Sequence, residues 1–185
     1  MLPPRLIAAA LETARLLTAL KLKLVLAESC TGGMAAAALS GVPGASNWFC
    51  GSVVVYRTET KRAWLRVDPP GFESPEPDSV GPQTSSALAK AAGEATPEAD
   101  VAAAISGHLG PNAPVQLDGQ AFIRITATRP SHEGAEPVGV STSYTSQIRP
   151  SNELLRFRGE RQEEATAVFL EEIAAFLTRL TQERV

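Results

Sequence analysis

The spacing of apolar positions along this chain switches repeatedly between helical and strand periods. From Pro3 to Leu20 they recur at helical spacing, with Arg5, Glu12 and Arg15 between them, which predicts a first helix. Lys23 to Ala27 is a short apolar run flanked by turn formers and reads as a buried strand. An alanine-rich stretch follows as a helix from Gly32 to Leu39. The β-branched run Gly51 to Tyr56 (GSVVVY) predicts a strand centred on Val53 to Tyr56, leading into a short helix from Glu59 to Leu65. A further helix spans Gln83 to Ala95, with Leu88, Ala91, Ala92 and Ala95 on its apolar face. Strands are expected at Val101 to Ser106, Ala121 to Thr128, Gly139 to Ile148 and Leu154 to Arg158. The stripe Val168, Ile173, Phe176, Leu177 and Leu180 marks a terminal helix from Gln162 to Gln182. Asp68 to Pro82 holds five prolines and two glycines and reads as a loop, and Arg129 to Val138 as a polar turn region.

Alternation of this kind predicts an α/β chain, a three-layer α/β/α sandwich of a single domain over residues 1–185. The sheet is expected to be mixed and mostly parallel, with antiparallel neighbours where the strands of the second half follow one another closely. A length of 185 residues suits one domain with a sizeable core. In open sheets of this type ligands sit beyond the carboxyl ends of the strands. Ser29, Tyr56 and Gly107 all fall at such ends, so three separate loops are expected to converge there.

The chemistry concentrates in Leu24 to Gly33 (LVLAESCTGG), where a strand breaks into hydroxyl, thiol and glycine residues before a helix. A helix N-terminus carries a partial positive charge and orphan N–H groups, which suit an oxyanion or a phosphate. Ser29 or Thr31 can equally be a simple N-cap. Downstream, Tyr56 and Lys61 end and follow a neighbouring strand. Lysine activates a serine only when burial lowers its pKa, and otherwise Lys61 is a solvated helix residue. Cys30, beside Ser29, is the alternative nucleophile, since a thiolate is favoured at a helix N-terminus. Adjacent strand residues face opposite ways, however, so one of the two faces a site and the other the core.

Composition narrows the partners. The net charge is −3 with no basic block, which argues against nucleic acid. No apolar run approaches 18 residues, so no membrane span is expected, and Leu2 to Leu20 is too charged for a signal peptide. The expected location is the cytoplasm, where Cys30 and Cys50 would stay as free thiols. The two histidines, His108 and His132, lie in separate loops, and no cysteine pair has ligand spacing, so no metal site is expected. His108 sits in a glycine-rich loop, either reaching substrate or lying on the surface.

The stretch AESCTGG, then the turn Val42-Pro43-Gly44-Ala45-Ser46, then Gly51-x-Val53-x-Val55-Tyr56 with Lys61 five residues on, resembles the CinA C-terminal domain family, which includes nicotinamide-nucleotide amidohydrolases. The resemblance implies Ser29 as nucleophile, Lys61 as general base and Tyr56 as an assisting hydroxyl. It implies hydrolysis of the carboxamide of nicotinamide mononucleotide to the acid and ammonia, with no metal and no cofactor. Glu28, Cys30, Thr31, Gly32 and Gly33, with Gly107, His108 and Gly110, form the implied substrate-binding set, Gly32 and Gly33 lending N–H groups near the oxyanion. The implied partner is a small-molecule nucleotide, and the implied assembly a homo-oligomer. The chain departs from the family pattern near Gly81, through His108 to Gly119, and at Glu163 to Ala165. Those departures open a second class of function, a nucleotide-binding or regulatory module of the same fold without turnover.

Overall fold

A computed structural model describes residues 2–68, 80–129, 137–149 and 153–182. Among them, five strands and five helices form three layers, in the order α1 (Pro4–Leu20), β1 (Leu24–Glu28), α2 (Met34–Ser40), β2 (Phe49–Val54), α3 (Thr58–Leu65), α4 (Pro82–Glu94), β3 (Val101–His108), β4 (Gln120–Ala127), β5 (Gly139–Thr145) and α5 (Leu154–Gln182). The strand order is β2-β1-β3-β4-β5. β1 pairs parallel with β2 and β3, whereas β4 pairs antiparallel with β3 and β5. Four strands therefore run one way, and β4 alone is reversed.

The central strand explains the layers. All five residues of β1 are buried, because both faces of the sheet are covered there. Leu24 and Leu26 pack into the larger core, with α1, α2 and α5; Val25 and Ala27 pack into the smaller one, with α4 and the end of α3. This two-residue alternation continues past the strand and fixes which way the next side chains point. Val101, Ala103 and Ile105 of β3 likewise face the larger core, and Ala102 and Ala104 the smaller.

Three of the boundaries that differ from the sequence reading bear on the site. Leu154 to Arg158 is not a strand but the start of α5, one continuous helix to Gln182. Helix-period partners decide this: Arg156 pairs with Glu160 at 2.8 Å, and the Arg161 guanidinium lies 4.3 Å from the Phe157 ring centroid, both four residues apart. β2 begins at Phe49 and ends at Val54, two residues before Tyr56, so Tyr56 belongs to the connection into α3. β3 runs on through Gly107 to His108, because β4 continues to pair with it as far as Gln120. Gly107 is required there: a Cβ would lie 2.6 Å from the carbonyl oxygen of Gln120. Most of the proline-rich loop, and the turn region with His132, lie outside the described residues.

Candidate active site

Ser29 follows the end of β1 and is held from both sides. Its N–H donates to the carbonyl oxygen of Ile105 at 3.1 Å, and the preceding carbonyl, of Glu28, accepts from Val55 at 2.8 Å. By the strand alternation Ser29 turns toward the face carrying Val25 and Ala27, while Cys30 turns into the larger core. The cysteine is 3% exposed, and burial pushes its thiol pKa up to about 12. A thiol held that firmly protonated is a poor nucleophile at neutral pH.

Lys61 reaches Ser29 from α3. The helix opens after Arg57, whose N–H donates to Thr60 Oγ1 at 3.2 Å, and it turns Lys61 inward one turn later. Only 1% of Lys61 is exposed, and its Nζ donates to Ser29 Oγ at 3.2 Å. Among the described residues it has no carboxylate within ion-pair distance. Desolvation lowers its pKa from the ordinary 10.5, the more distant Cys30 and Glu59 opposing weakly. A buried amine biased toward its neutral form, in hydrogen-bond reach of a hydroxyl, can take that hydroxyl's proton.

Around this pair lies a cleft of about 200 Å³, floored by Ser29 and Lys61 and rimmed by Tyr56, Gly107 and His108 at the end of β3, the loop from Leu109 to Ala113, Val80 and Arg158. Tyr56 Oη accepts from Arg158 Nη2 at 2.7 Å, so the phenol meets α5 at the cleft mouth. Two larger depressions, of about 420 and 530 Å³, lie against α4, and neither brings a buried hydroxyl to a buried amine. The structure thus gathers Ser29, Cys30, Tyr56, Lys61, Gly107, His108 and Gly110 of the expected set into one cleft.

Glu28, Thr31, Gly32 and Gly33 are outside its lining, and the reason corrects their expected role. Glu28 is fully buried and continues the alternation of Leu24 and Leu26, toward α2. Its Oε2 accepts from Thr31 Oγ1 at 2.8 Å and from the N–H groups of Gly33 and Ala35, each at 3.1 Å. Its Oε1 accepts from Ala36 N–H at 2.9 Å and Ser52 Oγ at 3.1 Å. The anion at the start of α2 is therefore the protein's own carboxylate. Gly32 N–H is also occupied, donating to Ser29 O at 3.1 Å. Gly33, at φ 96°, supplies the left-handed turn into α2 rather than an oxyanion donor. The N–H of Cys30, the residue after the serine, donates to no oxygen among the described residues.

Sequence reasoning missed Arg158 and the anchoring of the loop opposite it. Arg161, 3% exposed, forms a two-pronged pair with Asp118 at 2.7 and 3.0 Å and donates to Ile148 O. Arg158 Nη1 donates to Gly110 O, and Gln162 Nε2 to Cys30 O at 2.9 Å. One end of α5 thereby braces both the nucleophile loop and the glycine loop. The four-residue spacing of Phe157 and Arg161 was the available signal for a helix there.

The family model described as CinA C-terminal domain matches residues 7–133. Among curated relatives, the chain is 41% identical over 91 residues to a CinA-like protein of Geobacter sp. strain M21, covering 49% of this chain and 21% of that protein. It is 39% identical over 111 residues to a CinA-like protein of Thermotoga neapolitana, covering 59% of this chain and 26% of that one. The chain thus spans about a quarter of the length of these relatives. In fold it is similar to the competence/damage inducible protein CihA of Agrobacterium tumefaciens, with a TM-score of 0.76 and 24% identity over 96% of this chain and 98% of that one. A competence or damage-inducible protein from Enterobacter asburiae gives 0.71 and 25%, covering 93% and 98%.

Proposed function

The chain belongs to the CinA C-terminal domain family, and from that premise we propose that it hydrolyses a linear carboxamide, in the first instance that of nicotinamide mononucleotide, through Ser29 and Lys61. The observation that carries this reading is the buried Lys61 Nζ, 3.2 Å from Ser29 Oγ, with no carboxylate among the described residues to hold its proton.

The chemistry follows from those two groups. Ser29 Oγ attacks the amide carbon while its proton passes to the neutral Lys61 amine. Charge developing on the carbonyl oxygen is met by backbone N–H, for which that of Cys30, bonded to no oxygen among the described residues, is the candidate donor. The carbon–nitrogen bond breaks as Lys61 returns the proton to the nitrogen, which leaves as ammonia. Water then attacks the Ser29 ester, giving a proton to Lys61, which returns it to the leaving Ser29 Oγ as the acid is freed. Tyr56, at the mouth, has its oxygen engaged by Arg158, a group that only donates; the phenol's own proton stays free to bond the substrate.

The test is ammonia release from nicotinamide mononucleotide by the purified protein, with Ser29→Ala as control. Release by the wild type and not by the variant is expected. Absence of release, together with absence of Lys61-dependent labelling of Ser29 by a fluorophosphonate, would reject the reading in favour of a module that binds without cutting.

A further inference from the structure

Arg158 has no partner in the proton transfers above, yet it stands in the cleft. It enters from the first turns of α5, half-buried, and spans the mouth: Nη2 donates to Tyr56 Oη on one side and Nη1 to Gly110 O on the other. Neither acceptor is charged. Its helix neighbours are neutralised, Arg156 by Glu153 and Glu160 and Arg161 by Asp118. Arg158, among the described residues, has no carboxylate partner. The cleft lining contains neither Asp nor Glu. Its other cation, Lys61, is biased by burial toward the neutral amine. A guanidinium keeps its proton in any protein setting. Among the described residues the cleft therefore carries one fixed positive charge with no carboxylate against it, and two of five N–H donors are engaged.

We infer that Arg158 is a specificity-determining residue that seats an oxyanion, a phosphate ester or a carboxylate, carried by the amide substrate. The inference rests on the amidase reading for its substrate and adds the class of amide accepted. Planar, two-pronged donation matches an oxyanion's geometry, and a half-buried pair is screened less than one in open water. The bonds to Tyr56 and Gly110 hold the fork in place before substrate arrives, which lowers the entropy lost on binding.

Nicotinamide mononucleotide and nicotinamide riboside differ only in the phosphate and so isolate the effect. Arg158→Gln, which also releases Tyr56 Oη and Gly110 O, is expected to lower kcat/KM for the mononucleotide about tenfold or more beyond whatever it costs with the riboside, chiefly through KM. Arg158→Lys, which keeps the charge without the fork, should lie between the two. An equal loss on both substrates, or no loss on the mononucleotide, overturns the assignment. Calorimetric binding of the two compounds to Ser29→Ala, with and without Arg158→Gln, separates this from the amidase reading. Tighter mononucleotide binding that disappears with Arg158 supports the oxyanion seat even if the wild type releases no ammonia. Equal binding of the two refutes the seat even if ammonia is released. Competition by inorganic phosphate against competition by acetate then identifies which oxyanion it prefers.

Discussion

A lysine amine with 1% of its surface exposed pays a desolvation penalty only while it is charged, so burial and chemistry at Lys61 are one fact. Between its lowered pKa in the folded protein and the ordinary 10.5, the unfolded chain holds a proton that the folded chain has released. Stability contributed by this residue therefore rises with pH across that window. Amide hydrolysis should rise with pH along the same limb, its midpoint below 10.5. Lys61→Arg, which cannot release its proton, should lack the limb and lose about a thousandfold or more in kcat, as should Lys61→Ala. A pH–rate profile of the three proteins checks this, and Cys30→Ser should retain most of the wild-type rate. That Ser29, Tyr56 and Lys61 would meet in one cleft was legible from the family resemblance, whereas the residues alone left Lys61 equally a solvated helix lysine. The role of Glu28 was not legible, since a carboxylate beside a serine looks like site chemistry until strand parity sends it the other way. Its five donors make Glu28→Ala a stability variant, expected to lower unfolding free energy by about 3–5 kcal/mol in urea titration. A loss below about 1 kcal/mol would show that the buried carboxylate is dispensable.

Helix α5 shows what local pattern alone withholds. Leu155 to Arg158 alternates apolar and basic residues over a length too short to separate a strand from a helix. The arbiters were pairs four residues apart, Arg156 with Glu160 and Phe157 with Arg161, and Gly159, where a Cβ would find nothing within 4 Å, does not interrupt them. Once helical, this segment sets Arg158 and Arg161 against the loop that β3 and β4 enclose. Asp118 is the far side of that brace, 43 residues away in sequence, and no spacing rule could have joined it to Arg161. Asp118→Ala leaves a 3% exposed guanidinium with, among the described residues, only Ile148 O to accept from it. The expected cost is about 3 kcal/mol of stability. Amide exchange should rise first at residues 109–118, ahead of β1, because the brace holds that loop while the central strand is fixed by its own neighbours. Uniform exchange across the sheet would mean that the pair supports the whole domain rather than the loop.

At the scale of the molecule, the alternation of helices and strands was readable because β1 and β3 are apolar on both faces, which only a covered parallel sheet explains. The direction of β4 was anticipated from its short connection, whereas the strand order β2-β1-β3, which carries Ser29 to the centre and Lys61 to its flank, arises from crossovers that leave no local mark. That order also divides the interior. Leu17 and Leu88 are both fully buried, but one lies in the core beneath α1 and α5 and the other beneath α4, with the sheet between them. Each truncation to alanine is expected to cost about 2–5 kcal/mol. With no shared partners, the costs in the double variant should add to within about 0.5 kcal/mol. Both cores grip the same strands, so unfolding should remain one transition by far-ultraviolet circular dichroism and by tryptophan fluorescence. Separate transitions would instead show that the α4 layer can detach by itself. Because Lys61 reaches Ser29 across that layer, activity would then be lost before the main core melts.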